Sequence, residues 1–217
     1  MKNTWLMLLL FCGCNLLCQT GKSKSIGINL LQLPSTTLNA NFTYELKPYF
    51  TPLVEFGYTF NFVKGIDLPR PTYSLYDGYN FKNISGGYFK VGGYFNLRKS
   101  FKKMNYFHLG LFSSNAWVNE KVDYNAPNSP APLEKLQHHI PIWGYAISAG
   151  FDLYLVTNKL SASVDFQLSY PQINADQLYS FRRFIPGMGY QGTNNSWHPM
   201  LILNLKYRLN KARHYQY

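Results

Sequence analysis

Leu53-Val54-Glu55-Phe56-Gly57-Tyr58-Thr59-Phe60-Asn61-Phe62 decides the fold. Val54, Phe56, Tyr58, Phe60 and Phe62 alternate with Glu55, Gly57, Thr59 and Asn61. A period of two becomes two chemically distinct faces only on an extended strand. The same alternation extends in both directions from this stretch. Upstream it covers Ser25–Leu30 and Leu38–Leu46; downstream it covers Gly87–Arg98, about Tyr106–Val118, about Ile140–Val156, Leu160–Tyr170 and about His198–Leu209. The reading is eight strands.

Composition narrows the class. The chain has 217 residues, 46% hydrophobic and 18% aromatic but only 14% charged, with a formal net charge of +11. Soluble domains carry about 25% charged residues, so this surface is poorly suited to facing water throughout. The aromatic content excludes a disordered chain. Past the N-terminus no apolar run approaches the roughly 20 residues of a helical span, which excludes a helical membrane protein.

The N-terminus reads as a secretory signal over residues 1–18. Lys2 precedes an apolar core from Trp5 to Phe11, and Cys18 precedes the polar Gln19. Cys12, Cys14 and Cys18 all fall inside it, so cleavage after Cys18 leaves a chain without cysteine or disulfide. Lipidation at Cys14 or Cys18 is the alternative. Residues 19–217 then form one domain. Short links fall near Lys47-Pro48, Ser100–Asn105 and Asn158-Lys159, and another at Pro34-Ser35; long connections fall at 63–86, 120–139 and 171–197. Short turns at one end and long loops at the other predict an all-β, eight-stranded antiparallel up-and-down transmembrane β-barrel. Its N- and C-termini lie at the short-turn, periplasmic end.

Alternation alone leaves open which face is inside. A soluble lipocalin-like barrel turns its apolar face inward, whereas a membrane barrel turns it to lipid. Low charge, strands near the ~9–11 residues needed to span and aromatics on the apolar face favour the membrane. Tyr44, Phe62, Phe89, Tyr170 and Tyr207 are the expected interfacial girdle.

With its signal segment, eight alternating strands and amphipathic last strand Leu201-Ile202-Leu203-Asn204-Leu205-Lys206-Tyr207-Arg208-Leu209, the chain resembles the small outer-membrane β-barrels, of which the OmpA-type barrel domain is the familiar member. The resemblance is architectural and covers nearly the whole mature chain. It departs in having Asn210–Tyr217 after the last strand. It implies outer-membrane residence and insertion by the barrel-assembly machinery, and carries over no catalytic residue.

On this reading the lumen holds Glu45, Glu55, Asp152 and Asp165 against Lys90, Arg98, Lys206 and Arg208. Buried charges must be paired, and the expected pairs are Glu55 with Arg98, and Asp152 and Asp165 with Lys206 or Arg208. The loops carry Tyr73, Tyr76, Tyr79, Tyr179, Phe181, Arg182, Arg183 and Trp197, with Phe184 and Tyr190 nearby. Tyr, Trp and Arg anchor interfaces, so these loops are candidates for recognising an envelope protein, a glycan or lipopolysaccharide, or else they cap the barrel. Lys22, Lys24, Lys47, Lys99, Lys102, Lys103, Lys159, Lys211 and Arg213 gather at the turn end, where anionic lipid headgroups or an acidic partner protein are the candidate partners.

No catalytic or metal constellation is read. Ser113 lies on the opposite strand face from His108, and His138-His139 diverge without a Cys or acid at ligand spacing. No cofactor and no nucleic-acid partner are expected. The expected role is a non-catalytic structural or interaction component of the envelope, such as an accessory subunit of an export or envelope complex. A narrow channel is the alternative, and a lipid-A-modifying enzyme ranks below it.

Overall fold

Eight strands follow one another in order: β1 Lys24–Asn29, β2 Thr37–Tyr44, β3 Phe50–Phe62, β4 Tyr79–Asn96, β5 Tyr106–Tyr124, β6 Glu134–Tyr154, β7 Leu160–Gln172 and β8 His198–Arg208. The computed structural model describes residues 23–62, 79–97, 105–124, 134–155, 159–172, 184–190 and 197–209. The signal segment with its cysteines and the residues after Leu209 lie outside these ranges.

Each strand pairs antiparallel with the next, and β1 closes on β8 through Ser25↔Arg208 to Asn29↔Asn204, giving a closed barrel. β1 therefore starts, and β8 finishes, at the turn end. Hydrogen-bonding every strand to two neighbours removes the open edges that a sheet otherwise presents.

The faces sort as the alternation predicts. Phe56, Leu111 and Leu201 are more than half exposed, at 58%, 56% and 55%, while Glu55, Lys90 and Asn204 are buried. Outward aromatics gather near both rims: Tyr49, Phe95, Phe107, Phe151 and Tyr207 towards the turns, and Tyr58, Phe60, Trp117, Trp143, Tyr145 and Trp197 towards the loops. The expected girdle is corrected in two places. Tyr44 closes β2 with its ring buried, because Thr43, Tyr44 and Glu45 all turn inward where the strand ends. Phe89 faces outward but pairs with Phe56 and Asn115 in mid-strand, away from a rim.

Three strands run further than the alternation suggested. β4, β5 and β6 have 18, 19 and 21 residues. Pairing with β3 ends at Phe62↔Ile84, and pairing with β7 ends at Trp143↔Gln172, so Tyr79–Asn83, Glu120–Tyr124 and Glu134–Ile142 continue as a three-stranded sheet past the rim. The connections expected at 63–86 and 120–139 shrink accordingly, and Tyr79 belongs to β4. A register shift between Thr59 and Phe62 accompanies Gly86 (φ 151), where a Cβ would collide with the Trp117 carbonyl.

The link expected at Pro34-Ser35 is a 3₁₀ helix, Leu30–Ser35. It stands where β1 has already ended but β8 and β2 continue. Asn29 caps it, its Oδ1 accepting from Leu31 N (3.1 Å) and from Leu203 N (3.2 Å). Asn39 returns both bonds to the Asn29 backbone, accepting from its N at 2.7 Å and donating to its O at 3.3 Å. Side-chain amides thus replace a missing stretch of strand ladder. Thr36 ends the helix in the left-handed region (φ 53).

Candidate functional site

The inward face of β1–β8 fills the lumen in three tiers. Nearest the turns, Arg208 Nη2 lies 3.4 Å from Glu45 Oε1, and Lys206 Nζ donates to Asp152 Oδ1 at 3.0 Å. Asp152 Oδ2 also faces His108 Nδ1 at 3.7 Å. His108 Nε2 meets Asp165 Oδ1 at 2.5 Å, so its ring stands between two carboxylates from β6 and β7. Ser163 Oγ donates to Asp165 Oδ2 at 3.0 Å, and Asn204 joins Ser163 (3.4 Å) to Asn41 (3.0 Å). The Tyr94 and His108 rings pack in a T-shaped contact with centroids 4.4 Å apart, and Lys206 Nζ sits 5.3 Å from the Tyr94 ring centroid, which adds cation–π attraction to the ion pair. Small residues make the room: a Cβ on Gly150 would land on the Asp165 carboxylate.

In the middle tier Lys90 Nζ bridges Glu55 Oε2 (3.3 Å) and Gln167 Oε1 (3.0 Å). Tyr88 donates to Glu55 Oε1 at 2.6 Å and is also 2.8 Å from Gln32 Oε1. Gln32 reaches in from the 3₁₀ helix, its Nε2 lying 3.4 Å from Met200 Sδ.

The upper tier is apolar. Ile84, Tyr88, Ala116, Val118, Ile140 and Ile142 enclose Phe184, Ile185 and Met188 from the β7–β8 connection, all buried. Tyr190 packs beside them, its ring 5.0 Å from Phe184. A tight turn, Ile185 to Gly189, shapes this plug, with Gly187 (φ 73) and Gly189 (φ 107) in conformations that favour glycine.

Of the predicted lumen charges, Glu45, Glu55, Lys90, Asp152, Asp165, Lys206 and Arg208 all point inward and make ion pairs or, for Asp165, pair with His108. Glu55 pairs with Lys90, which stands directly opposite it; Arg98, its expected partner, lies outside the described residues. Asp165 takes His108 and Ser163 as partners instead of a lysine or arginine at hydrogen-bond distance. Tyr88, Gln32, Gln167 and Ser163 complete the network; the alternation placed Gln167 and Ser163 on the polar face without a role.

Among the loop candidates, Trp197 is exposed and packs on Tyr170 at 5.3 Å. Tyr79 is in a strand. Tyr73, Tyr76, Tyr179, Phe181, Arg182 and Arg183 lie outside the described residues. Phe184 and Tyr190 turn into the barrel mouth, so for them capping prevails over presentation to a partner.

The chemistry of the lumen is that of a filled interior. Ser163, Asp165 and His108 are almost wholly buried. They are arranged with the carboxylate between hydroxyl and imidazole, whereas nucleophilic activation needs the imidazole on the hydroxyl. Among the described residues no three His, Cys, Asp or Glu are grouped to hold a metal ion.

No protein-family model matches the chain, and no curated protein matches it. Solved structures do. The N-terminal β-barrel domain of Pseudomonas aeruginosa OprF is 10% identical over 86% of this chain and 95% of that one, with a TM-score of 0.37. Neisserial surface protein A is 9% identical over 86% and 93%, with a TM-score of 0.43. A major outer membrane protein from Thermus thermophilus is 11% identical over 86% and 98%, with a TM-score of 0.45.

Proposed function

We propose that this chain spans the bacterial outer membrane as a closed barrel with a non-catalytic role. It is a structural or interaction component of the envelope, an accessory subunit of an export or envelope complex, in contact with outer-membrane lipid and lipopolysaccharide. The observation that carries the reading is the inversion of the faces. Phe56, Leu111 and Leu201 look outward while Glu55, Lys90, Asp152 and Lys206 are buried within. A soluble barrel would expose that apolar belt to water at about 25 cal/mol per Å², whereas lipid accepts it. The turn end then faces the periplasm with both termini, since long loops belong outside.

A filled lumen favours anchoring and recognition over transport. Salt bridges close the lower tiers and the Phe184–Tyr190 plug closes the upper one. The sheet that β4, β5 and β6 carry past the rim, together with the exposed Trp197 beside Tyr170, is the surface available to an envelope partner.

The test is to fractionate envelopes, extract the outer membrane in mild detergent and measure the native size of the assembly containing this chain. We expect a larger assembly in the outer-membrane fraction, and silence in single-channel recordings of the purified protein. Recovery in the soluble periplasm would sink the architecture in the membrane. A lone monomer with steady conductance would replace the accessory role with a channel, and an altered lipid-A profile in a deletion strain would replace it with an enzyme.

A further inference from the structure

The upper tier is an apolar chamber that the chain fills with its own loop. Ile84 and Tyr88 from β4, Ala116 and Val118 from β5, and Ile140 and Ile142 from β6 line it, and none of them carries a charge. The occupant is held by apolar contact and by hydrogen bonds: Gln167 Nε2 to the Gly187 carbonyl at 3.3 Å, Tyr190 N to the Pro199 carbonyl at 3.2 Å, and the buried His198 ring to the Gly189 backbone.

Pro199 also belongs to a seam where, among the described residues, strands do not meet. β8 pairs with β7 from His198 onward but with β1 only from Asn204, and β2 pairs with β1 only from Asn41. The 3₁₀ helix fills the gap, with Leu31 and Leu33 exposed on the outside at 42% and 47% and Gln32 buried behind them. Gln32 in turn touches Met200 of β8 and Tyr88 of the chamber. Seam, plug and chamber are therefore contiguous. The seam opens by exchanging side-chain hydrogen bonds, with no strand ladder to unzip.

The geometry points to a binding site for a single hydrocarbon chain of a membrane lipid, admitted through this seam into the chamber when Phe184–Tyr190 withdraws. Apart from the buried Glu120, two positions beyond Val118, and His198 on β8, the lining is apolar and suits a hydrocarbon chain, and the seam continues the lipid-facing belt at Ile28, Leu31, Leu33, Leu38 and Leu201. Plug and acyl chain compete for one volume, so whatever draws the loop out loads the site. This inference rests on the membrane-spanning reading above.

The full-length protein, reconstituted in phosphatidylcholine vesicles doped with a phosphatidylcholine bearing a photoactivatable diazirine on its acyl chain, is irradiated and its labelled residues are mapped by mass spectrometry. Two variants dislodge the plug by different means. Met188→Asp places an unpaired carboxylate in the apolar chamber. Gly187→Val puts a β-branched residue at φ 73 with its Cβ in the Tyr88 ring. In both, compact migration before boiling reports an intact barrel. Labelling of Ile84, Ala116 and Ile142, relative to the belt residues Phe56 and Leu111, should rise about tenfold over the unaltered protein, the ratio expected when the plugged state loses its advantage. Ala116→Trp added to Met188→Asp refills the chamber and should return the ratio, read at Ile84 and Ile142, to its starting value. A labelled belt with no rise in the chamber in either variant would overturn the site alone. An unlabelled belt would overturn the membrane reading beneath it.

Discussion

Lys90 and Glu55 face each other across β3 and β4, both buried, with Tyr88 and Gln167 completing their hydrogen bonds. Two charges out of water hold each other only as a pair, so removing one leaves the other uncompensated. Lys90→Met should lower unfolding stability by about 3–5 kcal/mol, and Glu55→Gln/Lys90→Met should recover most of it, as urea titrations of the refolded barrel would show. Equal losses in the single and double variants would contradict the pairing. That Glu55 and Lys90 face inward is legible in the alternation; that they are partners is not. Pairing depends on register, and a strand read only to Arg98 leaves its depth free to slide. Lys90 and Arg98 are eight positions apart in sequence, and only the register of β3 on β4 shows that Lys90 is the one opposite Glu55. The His108–Asp165 contact is further out of reach, because β5 and β7 are not neighbours and the two side chains meet over Gly150 of the intervening β6.

At the scale of elements, the 3₁₀ helix is held by amide side chains doing the task of a ladder. Asn29 Oδ1 satisfies the backbone N–H groups of Leu31 and Leu203 together. Asn29→Ala removes the shared acceptor and the helix cap, and should cost about 0.5–2 kcal/mol. Hydrogen exchange at Leu203 should accelerate in the variant, and unchanged exchange there would show that the cap carries no load. In sequence the helix looks like a bare link because Leu30–Ser35 is too short to display a period, and Pro34 signals a turn in either case. The plug is hidden for a related reason. Phe184-Ile185-Pro186-Gly187-Met188-Gly189-Tyr190 has neither strand nor helix period. An aromatic, apolar loop looks the same in sequence whether it greets a partner or folds back onto its own barrel, and only burial tells the two apart.

For the whole molecule the decisive property is the outward belt. Leu111 lies near the middle of it, opposite Gly93 and Ile147. Leu111→Arg should cost about 2–4 kcal/mol in lipid vesicles. Gln137→Arg, exposed on the sheet beyond the rim, should stay within about 0.5 kcal/mol. Reversible unfolding from vesicles checks both, and equal costs would remove the lipid boundary drawn between them. This global property is the most legible of all, since a period of two repeated eight times needs no register to be seen. The extent of β4, β5 and β6 is less so, because beyond the rim both faces lose the contrast that marks a strand.

β1 offers five paired positions to β8, against ten between β7 and β8. Joining them encloses nearly the entire chain, and the entropy of closing a loop grows with its length. The contact with the greatest sequence separation thus has half the paired positions of its β7–β8 neighbour, and long-range pairing is intrinsically slow. Pairing between consecutive strands is local, so the β1–β8 seam is expected to close last. Commitment comes with a six-residue latch, Lys24–Asn29. On that expectation, closure of the barrel depends on that latch more than on the long hairpins, which need no distant partner.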